Sequence, residues 1–350
     1  MVRAPDNGVK KDLVKLDCVE SDGENILKKI ILLVTLIAMA TLPVRFASAQ
    51  ADAYPGKPIR LIVAFPPGGS VDVVARLIAP RLAEKLGQPV VIENRSGASG
   101  NIGTEAVARA RPDGYTLMLH TIPFVANQYL YKQLPYDAMG DFVPVSLVSA
   151  SSGFVVVHPS VPVLSVAELL QLARSKPGAL NYSAAGAGTN PHIAGELFNM
   201  LGNVDIVAIQ YKGGGPALTA ALGGEVGITF PNMAEAASQV KSGRLRALAV
   251  TGPRRSSVFP DLPTVAEAGL PGYEFTTWHG LLAPKGTPRA IVSLINDKLR
   301  EAMRAPEFVQ LFEQMGLDPI ASSPEQFAAH LKNESEKWGR VIRERNIRVE

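Results

Sequence analysis

Cysteine is almost absent from this chain, which carries one, Cys18, in 350 residues. It precedes the first apolar run, so a chain shortened beyond that run has no thiol, which excludes a disulfide framework and a cysteine nucleophile. An excess of charge is lacking too. The formal net charge is +3, and no Lys/Arg cluster interleaves with aromatics, which argues against a nucleic-acid surface. Compact catalytic signatures are also missing. The five histidines, His120, His158, His192, His279 and His330, show neither HExxH nor another close metal-ligand spacing. Residues 96–100 (SGASG) fall short of GxSxG because Asn101 stands where the last glycine belongs. Gly68-Gly69-Ser70 is followed by no GK[ST], and the same turn lacks GxGxxG, so no metal and no cofactor is expected. No low-complexity tract, heptad or fixed-period repeat is present.

Long hydrophobic runs are scarce as well. The run over residues 30–42 is shorter than the roughly 20 apolar residues a membrane span needs. Lys28-Lys29 precede it and Ala47-Ser48-Ala49 follow, the order of a secretory signal with a small-residue cleavage site. Cleavage is expected after Ala49, within an extended N-terminal region 1–49, which places the mature protein in the periplasm. Cys18 lies on the wrong side of the run to be lipidated at that site.

What remains, about 300 residues, exceeds what one hydrophobic core usually serves, so two lobes are expected. Nearly half the residues are apolar (47%), which excludes a disordered chain. The stretch IRLIVAFPPGGSVD (59–72) organises the rest. Its start reads as a buried parallel strand, and Pro66-Pro67-Gly68-Gly69 stops it. Ser70 stands where an N-cap would open a helix. Val71, Val74, Ala75, Ile78, Leu82 and Leu86 then mark one helical face, with Pro80 inside it. Strand, loop and helix keep alternating, which points to parallel sheets flanked by helices. Two stretches read as crossings between lobes: residues 142–158 and residues 246–251. Residues 262–269 read as a short capped helix ended by Gly269, and residues 288–303 and 324–346 as amphipathic helices.

Three strands end in glycine-rich turns that precede helices: after Phe65, after Tyr182 and after Tyr211. Such turns aim backbone N–H groups at one spot, which suits an anion. In open α/β sheets ligands bind beyond the carboxyl ends of strands, so two facing lobes would form a cleft. Ser70, Thr121, Thr189 and Asn190 are its obvious side-chain donors. Asp72 fits either a helix first turn or a ligand ammonium group. Arg95 and Lys212 fit a ligand carboxylate or a solvated rim, and Trp278 and Phe230 fit an apolar wall or the core.

The stretches YPGKPIRLIVAFPPGGSVDVVAR (54–76), VVIENRSGASGNIGTEAVARARPDGYTL (90–117), AGAGTNPHIAGELF (185–198), YKGGGPALTAALGGEV (211–226), RALAVTGPRRSSVFPDLPTVAEAG (246–269) and GLLAPKGTP (280–288) resemble one family. It is the Bug-type extracytoplasmic solute receptors of tripartite tricarboxylate transporters. The resemblance implies a two-lobed α/β Venus-flytrap periplasmic binding protein fold, each lobe a mostly parallel sheet flanked by helices. It assigns residues 50–152 and 253–350 to lobe 1 and residues 153–252 to lobe 2. It further implies a monomer with no chemistry of its own that captures a small di- or tricarboxylate or aromatic acid and delivers it to membrane permease subunits. Carried over residue by residue, the ligand contacts are Phe65, Gly68, Gly69, Ser70 and Asp72 with Thr121, then Ala185, Gly186, Gly188, Thr189 and Asn190. Tyr211, Gly213 and Gly214, and the strand end with Phe230 and Asn232, complete them. The family often has an acidic residue where Gly227 stands and near Asn232, and its loss here favours a plain carboxylic acid over an amino acid. Two alternatives stand beside this reading: a sensor that docks a histidine-kinase ectodomain, and a hydrolase using Ser99 or Ser70 with His192.

Overall fold

The computed structural model describes residues 26–34, 54–344 and 347–348. The chain divides into an N-terminal unit, Met1–Ala51, and a compact unit, Asp52–Glu350. In the first, residues 26–34 form a short helix, whereas Ala47-Ser48-Ala49 and the end of the apolar run lie outside the described residues. Among the described residues no helix is long and apolar enough to cross a membrane.

Two sheets organise the compact unit. The first holds β1 (Ile59–Val63), β2 (Val90–Asn94), β3 (Thr116–His120), β4 (Phe142–Ser152), β10 (Thr276–Pro284) and β11 (Leu317–Pro319), in the order β11-β4-β10-β3-β1-β2. The second holds β5 (Phe154–Val157), β6 (Leu180–Ala184), β7 (Ile206–Gln210), β8 (Ile228–Thr229) and β9 (Arg246–Val250), in the order β7-β6-β8-β5-β9. Helices follow in chain order: α1 (Ser70–Leu86), α2 (Asn101–Ala108), α3 (Pro123–Leu130), α4 (Val166–Ser175), α5 (Asn190–Gly202), α6 (Gly214–Leu222), α7 (Met233–Lys241), α8 (Arg289–Met303), α9 (Pro306–Gln314) and α10 (Pro324–Glu344).

The expected two-lobed α/β architecture is present, with mixed rather than mostly parallel sheets. β1 lies parallel to β2 and β3, and β6 lies parallel to β7 and β8. The remaining pairings are antiparallel, because strands beside the crossings run against their neighbours: β10 against β3 and β4, and β5 against β8 and β9. The chain passes between sheets at Gly153, whose N–H donates to the Thr251 hydroxyl at 2.7 Å. Thr251 donates its own N–H back to the Gly153 carbonyl at 2.9 Å. After β9 the chain stays beside the second sheet for a stretch. Thr264 bridges to Val250, and the Phe259 ring meets Phe154 edge-on at 5.0 Å.

Side-chain alternation decides which face each strand buries. In β1, Ile59, Leu61 and Val63 join a core with α1, α8 and α9, while Ile62 faces the opposite core. In β5, Phe154 and Val156 face α6 and α7, while Val155 and Val157 face α4 and α5. Each such fully buried side chain contributes about 1.5–3 kcal/mol. Helix α1 buries the predicted face, Val71, Val74, Ala75, Ile78 and Leu82, and turns Pro80 to solvent within one continuous helix. Residues 262–269 form only a helical turn, not the expected helix. Thr264 and Glu267 close it reciprocally as a capping box.

Candidate functional site

The turns after β1, β6 and β7 deliver the N-termini of α1, α5 and α6 to one place between the lobes. The N-cap of α1 is Gly69, in extended backbone, so Ser70 is the first helical residue rather than the cap the sequence pointed to. Its N–H therefore has no partner within the helix. It crosses to the second lobe and donates to Glu235 Oε1 on α7 at 2.5 Å. The Ser70 hydroxyl accepts from Asn232 Nδ2 at 3.0 Å. From the start of α5, Asn190 Nδ2 donates to Thr121 Oγ1 at 3.2 Å and also to Thr277 Oγ1 on β10. The two threonine hydroxyls lie 2.9 Å apart. Ser99 adds a further contact between lobes, donating to the Ala187 carbonyl at 2.6 Å.

Ser70, Glu235, Asn232, Asn190 and Thr121 surround a cavity of about 30 Å³. Phe65, Gly69, Ser70 and Thr121 line it from the first lobe, and Ala185, Thr189, Asn190, Gly214 and Asn232 from the second. Val71, Pro123, Pro191 and Glu235 line it as well. That volume holds a water or two. A second cavity of about 490 Å³ shares Phe65 and Ala185 as a common wall and is lined also by Ser99, Tyr131, Gly186, Tyr211, Lys212 and Gly213. Its size falls within the range of small-molecule sites.

Gly68, Asp72, Gly188 and Phe230 line neither cavity. Asp72 is spent on its own lobe. It accepts from the Gly68 N–H at 3.0 Å, Asn94 Nδ2 at 3.0 Å and Arg76 Nε at 2.8 Å. Burial alone would raise its pKa, but those donors outweigh burial and hold the carboxyl below the usual range. Gly188 donates its N–H to His192 Nδ1 at 3.0 Å. The Phe230 ring packs between Tyr182 and Phe198, and Trp278 is buried against Phe327, so both belong to the core. Arg95 is a rim residue paired with Glu93. Ser70 and Ser99 make the bonds given above, and neither pairs with His192.

Two site residues escape sequence reasoning. Thr277 sits behind Thr121, and only the β3–β10 pairing brings them together. Glu235 reads as an ordinary polar position on a helix. Its carboxylate instead lies between two helix starts: a Cβ added at Gly214 would meet Oε1 at 2.9 Å, and one at Gly69 would meet it at 3.7 Å. Burial pushes its pKa up, against the pull of the Ser70 and Asn232 hydrogen bonds.

Residues 74–347 match the family described as tripartite tricarboxylate transporter family receptor. A UPF0065 protein from the tcbD-tcbE intergenic region of Pseudomonas sp. strain P51 is 37% identical over 322 residues, covering 92% of this chain and 95% of that protein. Protein BugT of Bordetella pertussis is 38% identical over 305 residues, covering 87% and 94%. Among solved structures, a periplasmic transporter superposes with a TM-score of 0.82 at 39% identity, covering 85% of this chain and all of that one. R. palustris Rpa4515 with adipate gives 0.83 at 36% identity, covering 85% and 100%. MatC from Rhodopseudomonas palustris with bound malate gives 0.79 at 32% identity, covering 83% and 100%.

Proposed function

Because the chain belongs to the tripartite tricarboxylate transporter receptor family, whose members are solute-binding receptors and not enzymes, we propose that it captures a small carboxylate between its lobes in the periplasm. It then delivers the acid to the membrane permease of a tripartite transporter. The observation that carries this reading is the convergence of α1 from one lobe with α5 and α6 from the other on a single cavity. Helix N-termini favour an anion through their unpaired N–H groups and dipoles. Ser70, Thr121, Thr189 and Asn190 add neutral polar groups that fix orientation without adding charge. A grip shared by both lobes is also what couples binding to closure. A ligand shifts a conformational equilibrium only through contacts that differ between its states.

The cargo class follows from the similar proteins seen with adipate and malate, and from the dimensions of the two cavities. In this reading one carboxylate enters the small cavity, which widens as the lobes part. The chain of the acid runs past Phe65 and Ala185 into the larger one, where Lys212 lines the wall. Signal-peptide cleavage after Ala49, a monomeric state and the division of lobes near residues 152 and 253 belong to the same proposal.

A thermal-shift screen of the purified protein tests it, using dicarboxylates, citrate, acidic amino acids, aromatic acids and uncharged sugars. An acid at a hundred times its dissociation constant should stabilise by about 2.7 kcal/mol, while sugars leave the midpoint unchanged. Stabilisation by a sugar and by no acid would overturn the assignment.

A further inference from the structure

From the position of Glu235 we infer that the protein carries its own competitor for the cargo's carboxylate: a side chain of the second lobe that occupies the anion position at the start of α1 and ties the lobes together there. This deepens the receptor reading and rests on it for the identity of the site.

Three observations support it. The Glu235 carboxylate accepts the Ser70 N–H, so a backbone amide of the first turn of α1 is spent on the other lobe, beside the side-chain bond from Asn232 to Ser70. The Gly68 amide is already spent on Asp72 and that of Ser70 on Glu235, so a second carboxylate cannot take the Ser70 N–H while Glu235 stays. On its other side Glu235 abuts Gly214, at the start of α6, so it bridges the helix starts that the cargo's carboxylate would bridge. The group is also half-buried, and burial disfavours its charge. A second carboxylate brought to the same N–H would meet that of Glu235, and like charges repel more in a partly desolvated cleft than in water. Cargo therefore enters by displacing Glu235 rather than by joining it. The affinity that is measured is the difference between two carboxylates seeking one place, and an acid with a second anchoring carboxylate competes better than a monoacid.

Two variants and two readouts test this. Glu235→Ala removes the competitor, and Glu235→Gln keeps its shape without its charge. Adipate and malate, titrated into protein freed of cargo by unfolding and refolding, should bind the alanine variant about tenfold more tightly than the parent, with the glutamine variant between. In the same cargo-free protein, a distance between one spin label on each lobe should lengthen or broaden in the alanine variant. Unchanged or weaker binding of both acids, with the distance distribution also unchanged, would overturn the inference. A variant that loses aspartate but keeps adipate would overturn it as well, since Glu235 would then be a contact for an ammonium group. Failure of every acid to bind parent and variants would count against the receptor reading instead. The interlobe distance, which needs no cargo, would still decide the role of Glu235.

Discussion

His120, His192 and His279 are buried, and the Nε2 atoms of His120 and His279 have no hydrogen-bond partner among the described residues. Burial lowers their pKa values to about 4, about 4 and about 3, so all three are neutral at pH 7. The unfolded chain takes up these protons near pH 6.5, whereas the folded chain resists until far lower. Stability from neutral burial is therefore present above pH 6.5 and lost as the pH falls toward 4. The slope approaches about 1.4 kcal/mol per pH unit for each histidine. Glu235, whose pKa is raised, acts in the opposite sense but is a single group. The urea midpoint should thus fall steadily from pH 7 to pH 5, and a flat profile would contradict the burial of these rings. At this scale much of the cleft was readable in advance. Ser70, Thr189 and Asn190 are small donors beside glycine turns, Thr121 follows the end of β3, and all four line the cavity. Asp72 was ambiguous because its choice of partner depends on Asn94, which only the β1–β2 pairing brings near.

Elements show the same division between local and distant causes. The three glycine turns precede helices as their composition requires, at Ser70, Asn190 and Gly214. Helix α9 and strand β11 were not foreseen. The nine residues of α9 bury only Phe308 and Phe312, and the three residues of β11 are a strand because Ser149–Ser151 of β4 offer an edge. Helix α10 was foreseen from its period, and Phe327, Leu331, Trp338 and Ile342 form its buried face. Its docking depends on one carboxylate. Glu334 Oε2 accepts the indole N–H of Trp278 from β10 at 2.9 Å and that of Trp338 from its own helix at 2.7 Å. Glu334→Ala leaves both donors without an acceptor and should cost about 2 kcal/mol or more, with a red shift in tryptophan emission. Glu334→Gln, which keeps an acceptor oxygen, should recover most of the loss. These are the protein's two tryptophans, so an unchanged emission spectrum in the alanine variant would contradict the contact.

For the whole molecule, two sheets meet through Gly153 and Thr251, and polar side chains cross the cleft from both sides. The two lobes and their α/β class were visible in the strand–turn–helix alternation. The pairing of Asn190 with Thr277, and of Glu235 with Ser70, was not, because each joins residues more than 80 positions apart across the cleft. The central claim is that this cleft grips a carboxylate with both lobes. The most direct measurement is a calorimetric titration of adipate into cargo-free refolded protein, beside the Asn190→Ala variant. The account predicts saturable binding of one acid per chain, weakened about tenfold when Asn190 is removed. Saturable binding that is indifferent to Asn190 would contradict the shared grip, and no binding of adipate, malate or any other acid would contradict the receptor itself.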